Sequence, residues 1–181
     1  LSGITRKLSG ESIFMTTYKA KGDARITFAS EYIGKIVELN LQEGNSVICQ
    51  KDAFMCAQEG VKLEMHMQKK IGAGLFGGEG FILQKVTGPG VAFLELGGEI
   101  VEKNLKQGEK LKVDPGYIGA FEPTVEYNIE RIKGVKNMVF GGEGIFLATL
   151  KGPGKIWLQT MPLPSLADAL LKYLPIPRSS G

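Results

Sequence analysis

Apolar residues along this chain come in short runs broken by glycine and proline, and they rarely follow a helical period. Phe81, Ile82, Leu83 and Val86 make one run, and Val91, Ala92, Phe93 and Leu94 make the next. Thr87-Gly88-Pro89-Gly90 lies between them and supplies a type II turn whose central residues are Pro89 and Gly90. Together these residues predict a β-hairpin. Residues 145–150, the Gly152-Pro153-Gly154 turn and residues 155–158 predict a second one. Further strands are expected at residues 35–39, 46–50, 53–57 and 61–65, with counterparts 64 residues later. Many short strands at regular spacing predict an all-β sandwich or barrel-like domain.

The pattern changes only near the C-terminus. Leu166, Ala169, Leu170, Tyr173 and Leu174 fall at i, i+3, i+4, i+7 and i+8, which predicts one amphipathic helix over residues 165–174. Ser165 is expected to cap it, with Asp168 in its first turn, and Pro175 to stop it. The helix is expected to cover an open end of the sandwich. Its alternative is a face for a partner or a membrane surface, which makes Leu166, Leu170 and Tyr173 interface candidates. Residues 176–181 read as a loose tail.

The turn-punctuated strands are copies of one another. LFGGEGFILQKVTGPGVAFLEL from Leu75 aligns without a gap on VFGGEGIFLATLKGPGKIWLQT from Val139. The same offset places GKIVELNLQEG from Gly34 over GEIVEKNLKQG from Gly98. Over the 63 positions from Gly34 to Leu96, 19 are identical, against the roughly 6–7% that composition alone supplies. A weaker copy stands at the front, where Gly10-Glu11-Ser12-Ile13-Phe14 lies over Gly142-Glu143-Gly144-Ile145-Phe146. The expected organisation is one repeat-built domain over residues 1–175, with pseudo-threefold symmetry. Its parts are a partial first repeat (1–33), a second (34–97), a third (98–160) and the helix. A whole first repeat would require roughly 30 further residues upstream of Leu1.

Composition narrows the chemistry. The chain has 181 residues, 43% hydrophobic and 23% charged, with 25 glycines and 8 prolines. That suffices for one buried core and many turns. The formal charge of +3 is spread among 19 acidic residues, so no basic face marks a DNA or anionic-membrane partner. No apolar stretch approaches the ~18 residues of a spanning helix. Cys49 and Cys56 fit neither a disulfide framework nor a CxxC pair. Their counterparts Val113 and Ala120 mark them as core fillers.

The single His66 has no Cys or second His at ligand spacing and sits in a strand as a solvent-side residue. Gly72-Ala73-Gly74-Leu75-Phe76-Gly77 spells a dinucleotide-binding fingerprint, but strands follow it where a helix is required. Glu11, Glu79 and Glu143 recur at equal places. Either each carboxylate accepts hydrogen bonds from a glycine-rich turn, or the three converge on an axis as oxygen ligands for calcium or magnesium. Phe76 and Phe140 are plugs between repeats or, if exposed, interface anchors.

Leu75-Phe76-Gly77-Gly78-Glu79-Gly80-Phe81, its copy from Val139, Ser46-Val47-Ile48-Cys49-Gln50-Lys51, the Gly152 to Thr160 string and Leu8-Ser9-Gly10-Glu11-Ser12 carry a resemblance. From about Lys7 to Leu174 the chain resembles the altered-inheritance-of-mitochondria family. The resemblance implies a β-sandwich similar to the tryptophan RNA-binding attenuation protein, and no established activity. Yeast relatives are associated with the mitochondrial inner membrane; the bacterial cytosol is the compartment expected here, with the mitochondrion as the alternative.

The expected function is a non-catalytic binding or scaffold protein, without cofactor, that self-associates or engages a protein partner. RNA binding by analogy of fold and a carboxylate-using or metal-dependent enzyme are the alternatives.

Overall fold

A computed structural model describes residues 16–31, 33–69, 81–131 and 146–174. Its strands are β1 Gly34–Leu41, β2 Ser46–Gln50, β3 Phe54–Ala57, β4 Lys62–Lys69, β5 Phe81–Thr87 and β6 Gly90–Gly97. They continue as β7 Ile100–Leu105, β8 Lys110–Val113, β9 Ile118–Phe121, β10 Glu126–Arg131, β11 Phe146–Lys151 and β12 Gly154–Gln159. The one helix, α1, is Leu163–Leu171. The fold is mostly β with a single C-terminal helix, as the apolar pattern predicts.

All pairings are antiparallel, and those of β7–β12 follow those of β1–β6 at an offset of 64. β1 pairs with β6 and β7 with β12; β4 with β5 and β10 with β11; β2 with β5 and β8 with β11; β3 with β6 and β9 with β12. One further pairing, β2 with β9, joins the two sets through Ile48 opposite Phe121 and Cys49 opposite Ala120. The result is a six-stranded sheet, β4-β5-β2-β9-β12-β7, and two three-stranded sheets, β1-β6-β3 and β10-β11-β8.

The expected hairpins are absent. β5 and β6 share no ladder, and neither do β11 and β12; in each pair one strand lies in the six-stranded sheet and the other in a three-stranded one. The Gly-Pro-Gly segments therefore carry the chain from sheet to sheet. They are not type II turns: the Gly88–Pro89 and Gly152–Pro153 bonds are cis, and Gly90 and Gly154 hold φ of 138° and 144°. Only glycine adopts that backbone cheaply. A side chain on Gly154 would also meet Thr124 Oγ1 at 2.5 Å.

The six-stranded sheet is buried on both faces. One core gathers Val47, Cys49, Val86 and Trp157 from this sheet against Leu39, Leu41, Ala92, Leu94 and Leu96. The other gathers Ile48, Phe81, Leu83, Phe121 and Ile156 with Ala148 and Leu150. Alternate residues of β2 thus serve opposite cores, which is why Ser46–Gln50 shows no polar alternation. A register shift between Trp157 and Leu158 bulges the β9 ladder, so Ile118 and Phe121 face the same core despite their odd spacing.

Two expectations change at the ends. Residues 16–31 form no strand, although their sequence copies a strand pair. Strands form only where neighbours satisfy their N–H and C=O groups, and the strands that would flank this segment are not among those described. The helix starts at Leu163, two residues before Ser165. Pro162 is its N-cap, without a side-chain capping bond, and a proline sits in its first turn, where the missing N–H costs nothing. It ends at Leu171 with Lys172 as C-cap. No residue of α1 is buried; Ser165, Leu166 and Ala169 are half-buried. Among the described residues, no helix is long and apolar enough to cross a membrane.

Gly97 is expected to be intolerant of any side chain. An added Cβ would lie 2.1 Å from the Met161 carbonyl oxygen, and Gly97 O accepts from Met161 N at 3.1 Å in the same contact. Gly97→Ala should cost about 1–3 kcal/mol in urea denaturation. Phe121→Ala, at the joint between the two sets of strands, should cost about 3–5 kcal/mol.

Candidate interaction surfaces

The sequence-selected residues divide sharply. Glu11, Glu79, Glu143, Phe76 and Phe140 lie outside the described residues, as does the Gly72 to Gly77 motif. On α1, Leu166 is half-buried and Leu170 is 52% exposed, and in the turn after it Tyr173 is 86% exposed. Cys49 is fully buried, as its place over Val113 suggests. Cys56 is only half-buried on β3, which among the described strands pairs with β6 alone. His66 is exposed, as expected; loss of hydration and the nearby Lys85 hold its imidazole below the usual value. No three His, Cys, Asp or Glu side chains among the described residues are grouped to hold a metal ion.

Three surfaces emerge from the packing. The first is the outward side of α1 and the turn after it. Leu163, Leu170, Leu171 and Leu174 are each more than half exposed, beside Tyr173. The body holds the helix from the other side, where Tyr117 Oη and Ser165 Oγ lie 3.5 Å apart and Leu166 and Ala169 are half-buried. The solvent side of this helix therefore carries apolar residues where a lone surface helix would carry charge.

The second surface is the pair of strand edges left by the β2–β9 joint. β3 occupies in the first set the place of β9 in the second, and β8 occupies the place of β2. Each is paired on one side only among the described strands. Beside β8, two lysines are matched by carboxylates: Lys112 Nζ lies 3.0 Å from Glu130 Oε1, and Lys151 Nζ lies 2.9 Å from Glu126 Oε1.

The third is a polar joint repeated along the chain, which sequence reasoning passed over. Gln159 is buried; its Oε1 accepts from Gly97 N at 2.9 Å, and its Nε2 donates to Gly116 O at 2.9 Å and to Gln50 Oε1 at 3.3 Å. Its counterpart 64 residues earlier is Glu95, also buried, which accepts from Ser30 Oγ at 2.7 Å and Glu31 N at 3.1 Å. The main chain repeats the motif, since Met161 N donates to Gly97 O and Gly98 N to Ile33 O. A polar residue at the same place in two apolar strands was the signal in the sequence.

Near this joint, Trp157 Nε1 donates to Glu102 Oε1 at 3.0 Å, and Lys155 Nζ lies 2.7 Å from Glu102 Oε2 and 4.9 Å from the indole centroid. The Lys155 hydrogen bond is the main reason that the Glu102 carboxyl titrates below its ordinary value. Phe81, Phe121 and Tyr127 stack with centroids 5.8 and 5.5 Å apart. Burial there pushes the Tyr127 phenol far up.

The family model described as "Mitochondrial biogenesis AIM24" matches residues 1–161. An uncharacterized protein of Streptococcus pyogenes serotype M6 is 31% identical over 169 residues, which are 93% of this chain and 66% of that protein. The crystal structure of a Streptococcus pyogenes protein, a structural genomics target, is similar at a TM-score of 0.62 and 26% identity, over 78% of this chain and 61% of that one. The chain thus spans somewhat less than two thirds of the length of these relatives.

The two cysteines should separate by reactivity. Cys49 is expected to resist alkylation until the protein unfolds, whereas Cys56 reacts in the native state. Burial raises the Cys56 pKa, so its thiolate fraction, and with it the alkylation rate at pH 8, should fall below that of free cysteine. Equal native labelling of both thiols would contradict the burial described. For Glu102, Lys155→Met should move the carboxyl titration upward in NMR. Because the folded value is depressed, the stability this pair contributes is present above the ordinary carboxylate pKa and lost as pH falls through the folded one.

Proposed function

The chain belongs to the mitochondrial biogenesis AIM24 family, and from that premise we propose that it is a non-catalytic scaffold that self-associates, built from three like units about a pseudo-threefold axis. The observation that carries the self-association is the apolar outer side of α1. Leu163, Leu170, Leu171 and Leu174 stand together in solvent, and burying such side chains contributes about 1.5–3 kcal/mol each. A second copy of the same helix is a suitable cover. Asp168 and Lys172 lie two residues on either side of Leu170, so an antiparallel pair centred there sets each acid against the partner's base. A two-fold contact of this kind needs no other surface. The Glu95 and Gln159 joints support the three-unit reading, since each holds the end of the stretch before it. The lysines matched with Glu126 and Glu130 favour a protein partner over RNA.

Sedimentation equilibrium tests the proposal. A dimer is expected at micromolar concentration, and Leu170→Asp should weaken it by roughly two decades, since an unpaired charge buried in the contact costs about 2–3 kcal/mol or more. A wild-type protein that stays monomeric at about 100 µM, where even a weak contact would fill, would sink it.

A further inference from the structure

One small residue interrupts the leucines on the outer side of α1. Leu163, Ala167, Leu170 and Leu174 follow one another at i, i+4, i+7 and i+11, the spacing of a single stripe along a helix. The winding continues past Leu171 toward the end of that stripe, since Tyr173 N donates to Leu170 O at 2.9 Å. The three leucines are each more than half exposed, and Ala167 is exposed with them. The body holds the helix through Ser165, Leu166 and Ala169, none of which belongs to the stripe. Residues three and four apart are neighbours on a helix surface, so Leu163 and Leu170 form the walls of a notch whose floor is Ala167. Its floor is open to solvent.

Resting on the self-association through α1, we infer that the notch at Ala167 receives Leu174 of a second copy, and that each copy fills the notch of the other. Charge and shape select the same register. Asp168 and Lys172 lie two residues on either side of Leu170, so their pairing in an antiparallel contact centres it on Leu170. That register sets Ala167 level with position 173 of the partner, because each lies three residues from Leu170. Helical side chains lean toward their own N-terminus, so the surface level with one residue is covered by the side chain one position after it. The side chain over Ala167 is therefore the partner's Leu174. A small residue there also lets the two helices approach at the short end of the roughly 8–10 Å range of packed helices. The occupant is a second copy because one stripe supplies both the notch and the leucine that fills it, and a two-fold axis at Leu170 brings them together twice.

Sedimentation equilibrium on variants of the full chain tests the fit. Ala167→Leu fills the notch from its own helix. Leucine is close to alanine in helix propensity and the position is exposed, so the single chain should keep its circular dichroism spectrum. Its dimer should weaken at least roughly tenfold, through overpacking of a filled contact. Leu174→Ala removes the filling side chain and should weaken the dimer by about tenfold as well. In the Leu174→Ala background, Ala167→Leu should cause no further loss and should restore part of the affinity, because the new leucine takes the space left empty. Equal losses from Ala167→Leu in both backgrounds would overturn the inference, as would an Ala167→Leu protein that associates like the wild type. If Ala167→Leu alters the spectrum, Ala167→Met reads the same cycle, and there too equal losses overturn it. Leu170→Asp separates this outcome from the scaffold proposal. A dimer broken by Leu170→Asp and untouched by Ala167→Leu keeps the helix pairing and overturns this fit, whereas a wild type that stays monomeric at about 100 µM overturns both.

Discussion

The short ladder between β2 and β9 is the contact on which the rest of the architecture depends. It makes one continuous sheet from two sets of strands, and that sheet can then be covered on both sides. Ile48, Cys49, Ala120 and Phe121 are all buried at this seam. Each faces a core that draws residues from both sets of strands. Neither set owns its interior outright: Trp157 and Ala120 complete the core of the first, and Phe81, Leu83 and Ile48 that of the second. Separating the sets would expose apolar surface and unpaired main chain together, which is costly on both counts.

Joining through edges has a corollary. Each joint consumes one edge of each type and leaves one of each behind, so an open array of such units always ends in two strands able to pair. Natural sheets protect such strands by charge, shortness or cover. β3 and β8 are only four residues long, and β8 bears Lys110 and Lys112, which limits unintended pairing. The buried polar residues Glu95 and Gln159 tie their strands to other stretches of the chain, Glu95 to Ser30 and Glu31 and Gln159 to Gly97, Gly116 and Gln50.

The helix obeys a different logic. It follows β12 through Met161 and Pro162 and is held by its Ser165, Leu166 and Ala169 side alone. The apolar residues on its other side belong to no interior of the described chain. The cysteines and the histidine behave as the strand residues they are.

Much of the fold was legible in the residues. The strand positions followed from short apolar runs, their kinship from the 64-residue offset, and the helix from the Leu166 to Leu174 spacing, because each rests on interactions between near neighbours. The buried Cys49 and exposed His66 were readable for the same reason. The partners of the strands were not. Gly88-Pro89-Gly90 looks like a hairpin turn, yet β5 and β6 pair elsewhere, since ladder choice is settled by which faces can be buried together across the whole molecule. The exposure of α1 and the roles of Glu95 and Gln159 were equally out of reach, as these arise only when distant stretches meet. Local pattern determined which residues become strand or helix; the packing of sheets on a shared core decided what each one touches.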